Sequence, residues 1–274
     1  MGRAPHITGT AERLARNDRI VVLGAVAFIV LLSGLYTVFG VGMNMTAAEM
    51  TRMARPIGEP MAMGTGPVWT AGYAVLIFLM WWVMMIAMMT PSAAPVLLLF
   101  TAIKKAGSLP GRAPVLGLLF LSGYLLAWAF FSAIATALQW WLETMGLSNG
   151  PMMSLSSRTL GGALLLAAGA YQFTPYKHAC LSHCRMPVHF LTEHNRTGLA
   201  GAVLMGAHHG TYCLGCCWAL MLLLFAGGIM NLYWIAGLAL FVLAEKTLPY
   251  PRLFATGAGA LLLLAGSYVL VTAL

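Results

Sequence analysis

The stretch LAGAVLMGAHHGTYCLGCCWALMLLLF, residues 199–225, decides how this chain is read. It is apolar and long enough to cross a hydrocarbon core of about 30 Å. Yet it carries His208, His209, Cys213, Cys216 and Cys217. Polar and ionisable groups are costly in hydrocarbon and mark function by default. On a straight helix His209, Cys213, Cys216 and Cys217 fall at i, i+4, i+7 and i+8, one broad face. Thiol and imidazole ligands inside a membrane span are the hypothesis this pattern raises.

Composition agrees with a membrane setting. Of 274 residues, 60% are hydrophobic and 8% charged, and mean hydropathy is +0.84. A soluble domain of that composition would have no polar surface to show water, and the apolar runs are far too long for barrel strands. The expectation is an all-α, polytopic membrane helical bundle. The net charge of +8 reads as cytosolic anchoring charge rather than a nucleic-acid surface. Residues 1–19 form a basic cytosolic arm, and 20–274 a single integral membrane domain. The first apolar run lacks a small-residue cleavage site and is read as a span, not a signal peptide.

Seven spans are expected, near residues 20–39, 69–103, 114–142, 158–173, 199–225, 230–244 and 252–274. The second is about 50 Å long as a helix, so Pro91 and Pro95 are expected to end or kink it near one interface. With the N-terminus inside, 12 of the 15 lysines and arginines lie on cytosolic segments, leaving Arg52, Arg55 and Arg158 outside. That asymmetry predicts N-in, C-out.

Ligand type then divides by side. Nine of the 19 methionines lie in the two outward loops, six of them (Met43, Met45, Met50, Met53, Met61, Met63) in the first and Met145, Met152 and Met153 in the second. The MNM and MAM spacings of the first loop resemble methionine motifs of copper proteins. Five more, Met80, Met84, Met85, Met88 and Met89, lie in the second span. All five cysteines and six of seven histidines lie in the fifth span or the inward loop before it. Thioether and thiolate select monovalent copper and other soft ions. Thioethers survive an oxidising exterior, whereas thiolates need a reducing side.

The candidate ligands are His209, Cys213, Cys216, Cys217 and His208 in the fifth span, with Cys180, Cys184, His183 and His178 in the inward loop KHACLSHCRMPVHF. Met84 and Met88 are candidate partners from the second span; Met85, Met89, Met221, Asn231 and Glu245 are secondary. His209 and Cys217 are about 12 Å apart along a helix. Either Cys213 pairs with Cys216 or Cys217, or Gly210 and Gly215 allow an unwound segment. Each feature also has a purely structural reading. Methionine and cysteine are adaptable apolar fillers, buried histidines can bond neighbouring helices, the inward loop can be a basic linker, and Glu245-Lys246 can be an interfacial ion pair.

Four segments together resemble a known bacterial family: WWVMMIAMMTPSAAPVLLLF (residues 81–100), YQFTPYKHACLSHCRMP (171–187), HHGTYCLGCCWALMLLLFAGGIMNLYW (208–234) and LAEK (243–246). It is a domain-of-unknown-function family of predicted metal-binding integral membrane proteins. The resemblance implies a multi-pass inner-membrane protein with a metal site at the Cys/His motifs. The expectation is a metal-binding membrane protein that handles or transports a soft ion, Cu(I) first and zinc second. Its expected partners are the lipid bilayer, the metal ion, and a metallochaperone or membrane protein, with no nucleic acid. A transmembrane thiol–disulfide oxidoreductase, or a membrane subunit with a structural metal serving a partner enzyme, are the alternatives. An enzyme is the less favoured reading, and no P-loop for ATP hydrolysis is present.

Overall fold

A computed structural model describes residues 7–43, 45–59, 68–106, 110–149 and 153–273. Met61, Met63 and Met152, expected in outward loops, and the first six residues of the expected basic arm lie outside these. The described chain is helical: α1 Ile7–Phe39, α2 Ala47–Arg52, α3 Ala71–Ala106, α4 Ala113–Thr144, α5 Arg158–Tyr171, α6 Pro175–Arg185, α7 Pro187–Glu193, α8 Gly198–Gly227, α9 Leu232–Thr247 and α10 Pro251–Val271. A short antiparallel pair, β1 (Ser148–Asn149) and β2 (Ser154–Leu155), joins α4 to α5.

Five helices are long and apolar enough to cross a membrane: Ile20–Phe39 of α1, then α3, α4, α8 and α10. The two other expected spans are shorter. α5 has 14 residues and α9 has 16, about 21 and 24 Å of helix. α8 is the most enclosed of the five, whereas α1 and α10 are the least. α8 packs on α4, α5, α6 and α9, while α3 packs on α1, α4 and α9.

The two prolines do not end α3, which runs unbroken through Pro91 and Pro95. A proline removes one backbone donor and disturbs the local ladder. Inside a bundle, neighbouring helices make such prolines tolerable. Between the two prolines' i−4 carbonyls, those of Ala87 and Pro91, the Met89 carbonyl accepts from the Ser92 hydroxyl at 2.9 Å and from the Tyr124 hydroxyl at 3.1 Å, tying this stretch of α3 to α4.

The loop between α1 and α3 is ordered by α2. Thr46 and Glu49 form a reciprocal capping box, each side chain bonding the other's backbone N–H. Met50 is buried in the core, and the Thr51 hydroxyl accepts from Leu232 N at 2.9 Å, tying α2 to the start of α9.

α8 reaches the centre because glycines let it touch α4 backbone to backbone. A Cβ on Gly206 would lie 1.8 Å from the Phe120 carbonyl oxygen, and one on Gly123 would lie 1.9 Å from that of Val203. Small residues at such crossings allow dispersion contacts that lipid cannot replace. Gly206→Ala is therefore expected to cost about 2–3 kcal/mol or more by forcing the helices apart. Gly237→Ala, where a methyl meets nothing within 4 Å, should leave the thermal midpoint of detergent-solubilised protein within a degree or two of wild type.

Candidate metal centre

The inner face of α8 carries His209, Cys213, Cys216 and Cys217, all buried, as the helical spacing predicts. α8 stays helical throughout, so Gly210 and Gly215 do not unwind it; they are packing positions instead. A Cβ on Gly210 would strike Ala127 of α4, and one on Gly215 would lie 2.6 Å from the Cys180 sulfur.

Cys213 is the hub. The Lys246 ammonium of α9 donates to its sulfur at 2.9 Å and to the Ser92 hydroxyl of α3 at 3.1 Å. The Tyr124 hydroxyl of α4 lies 3.0 Å from the same sulfur. Cys216 and Cys217 thiols donate to the Cys213 carbonyl at 3.1 and 2.9 Å, closing back one helical turn. Four helices thus converge on one sulfur. α3 and α8 meet there through the side chains of Tyr124 and Lys246.

The segment between α5 and α8 is no loose linker. Its α6 lies along α8, so the two cysteine groups, expected as separate stations, merge into one. The Cys184 thiol contacts that of Cys216, and Cys180 sits over Gly215. The Cys216 contact, and after it burial, holds the Cys184 thiol well above its ordinary range. Burial also raises the Cys180 thiol. Among the described residues all five cysteines are free thiols.

An expected Glu245–Lys246 surface pair is replaced by two inward contacts. Glu245 is fully buried and pairs with the equally buried Lys177 of α6, at 2.8 and 3.0 Å. Arg185 donates to the Glu245 carbonyl at 2.6 Å. Consecutive residues of α9 therefore pin it to α6 and to Cys213. Lys246, Tyr124, Ser92 and Lys177 were missed by sequence reasoning. A lysine in the apolar α9 was the available signal for Lys246; Lys177 in the polar α6, and Tyr124 as one of several hydroxyls in α4, offered none.

The histidines divide into two settings. His209 is buried between Phe120, Tyr124 and Phe190, with ring centroids 5.3–6.0 Å away. Its Nδ1 has no hydrogen-bond partner, a costly state for a buried polar atom and one a metal ion would relieve. His208 is half-buried on the neighbouring face, stacked on Tyr212 at 4.9 Å and edge-on to His194 at 4.4 Å. His183 stacks on the other side of Tyr212 at 4.3 Å. His178 stands apart from the thiols. Burial, then the charges of Lys177 and Arg252, hold its imidazole below the usual pKa.

Met80, Met84, Met85, Met88, Met89 and Met221 are all buried in the core. Met89 touches the centre through its carbonyl bond to Tyr124. Met153 accepts from Gln139 at 3.0 Å, and Gln139 also accepts from Trp81 and donates to Glu143. Asn231 is used as the cap of α9, accepting from Tyr233 N and donating to the Gly227 carbonyl. Among the described residues no three His, Cys, Asp or Glu side chains gather around one point where an ion would sit.

Comparison with known proteins adds one finding. A family model described as the copper chaperone PpoB2 matches residues 78–269, well over half of the chain and the whole of the centre just described. No curated protein and no solved structure matches the chain.

Breaking the Lys177–Glu245 pair from one side strands a buried charge, at a cost of about 3–5 kcal/mol. Glu245→Gln should therefore destabilise the detergent-solubilised protein strongly. Lys177→Met combined with Glu245→Gln should recover much of the lost thermal midpoint.

Proposed function

Because this chain belongs to the copper-chaperone family, we propose that it is a seven-span inner-membrane protein, N-terminus inside, that handles Cu(I) through the thiols of α6 and α8. The observation that carries this reading is the run of buried thiols from Cys213 through Cys217 and Cys216 to Cys184. Cu(I) has a filled d shell and is satisfied by two or three soft donors, so it does not need the four-ligand cage of zinc. Two neighbouring thiols therefore suffice even though, among the described residues, no three His, Cys, Asp or Glu side chains converge. His209, with its unpartnered Nδ1 one turn from Cys213, is a further donor on the same face.

Methionines line the approach. The outward Met43, Met45 and Met50 belong to or pack against the core, and the buried stripe of α3 leads from their end of the bundle toward Met89. Thioethers bind Cu(I) weakly and without losing a proton, which suits collection. Thiols bind more tightly but must be deprotonated, which suits retention. Cargo moving from thioether to thiol falls in free energy, so no nucleotide is needed. Zinc is the less suitable ion because its tetrahedral site would need ligands this geometry does not gather.

A thiol–disulfide reading has one observation in its favour, the Cys184–Cys216 contact. Thiol trapping separates the two: an exchanging pair changes its labelling with redox state alone, whereas a copper site is protected by Cu(I) under reducing conditions.

Elemental analysis of the purified protein provides the main test. Wild type should hold copper after growth in copper, and the Cys213→Ser, Cys216→Ser, Cys217→Ser triple variant should hold at least about tenfold less. Equal copper in both would sink the reading. Because bound thiols must lose protons that Cys184 holds tightly, loading from a buffered Ag(I) supply should rise between about pH 6 and pH 8.

A further inference from the structure

The ammonium of Lys246 lies 2.9 Å from the Cys213 sulfur, fixed there by Ser92. Among the described residues it is a cation in direct contact with the thiol run. The other lysine nearby, Lys177, is neutralised by Glu245. We propose that Lys246 is the specificity-determining residue of the centre, the built-in counter-charge that makes it select monovalent over divalent soft ions. The inference rests on the copper–thiol reading above.

The reasoning is a charge count in a medium where charge is expensive. Two thiolates holding one monovalent ion carry a net charge of −1, and the Lys246 ammonium brings the buried assembly to zero. Two thiolates holding a divalent ion are already neutral, so the same ammonium is left uncompensated. A third thiolate would restore balance for the divalent ion, but the described residues do not bring three such donors to one point. Uncompensated charge in a low-dielectric site is penalised by kilocalories, not tenths. Soft-donor chemistry alone does not make this distinction, since thiolates also bind divalent zinc and cadmium. The fixed ammonium does.

Competition between Ag(I), a redox-inert monovalent probe, and Cd(II), a soft divalent one, tests this on the full-length protein in detergent under a thiol-free reductant. Bound metals are read by elemental analysis, and the near-ultraviolet cadmium–thiolate absorption reports Cd(II) at sulfur. Wild type should retain Ag(I) in excess of Cd(II). Lys246→Met, close in shape but uncharged, should raise the Cd-to-Ag ratio on the order of tenfold or more. Lys246→Gln, which keeps a donor for Ser92 without the charge, should do the same. Lys246→Arg should stay within about threefold of wild type. An unchanged ratio in the Met and Gln variants overturns the role of Lys246 while leaving the copper reading intact, and so does a wild type that takes Cd(II) as readily as Ag(I). If the triple serine variant of Cys213, Cys216 and Cys217 binds Ag(I) like wild type, the thiol centre itself is wrong, and this inference goes with it.

Discussion

In hydrocarbon no water completes the hydrogen bonds of a polar group, so a polar side chain there finds its partners within the protein, on its own helix or on another. That constraint organises this bundle more than apolar packing does, since lipid tails offer nearly the same apolar contact as neighbouring helices. Lys246 binds Cys213 and Ser92, joining α9, α8 and α3. Tyr124 lies between Cys213 and the Met89 carbonyl, joining α4 to α8 and α3. Lys177 and Glu245 fasten α6 to α9. Glycines at the α4–α8 crossing bring the helices close enough for these bonds to form.

The consequence for function is that stability and binding share the same atoms. Cys213 is both a structural hub and a candidate ligand, and an arriving ion must compete with contacts that already hold the bundle together. A chaperone has use for such an arrangement. Cargo bound at the expense of existing contacts is held less tightly than the donors alone would allow, which leaves room for release. The orphaned His209 Nδ1 is the opposite case, a buried donor atom with nothing to lose by gaining an ion.

Much was legible in the chain itself. The apolar runs and scarce charge are enough for a helical membrane protein, and the five helices long enough to span bear that out at this coarser level. The family finding likewise agrees with a metal-related resemblance and with copper in particular. Helical periodicity alone placed His209, Cys213, Cys216 and Cys217 on one face, because the 3.6-residue repeat is a local property. The extents of α5 and α9 fall within a few residues of the expected 158–173 and 230–244. The continuity of α3 through its prolines was not legible, because it depends on what neighbouring helices supply to the backbone.

Residue order thus determines on its own which segments can leave water and which face of each carries sulfur and imidazole, since both follow from local composition and helix geometry. It does not determine that α6 folds back along α8 and merges two cysteine groups. Nor does it determine that Lys246 turns inward to Cys213 while Glu245 meets Lys177. Those pairings join residues 33 to 68 positions apart, and which partner a buried charge finds is decided only when the helices pack, by the cost of leaving it without one.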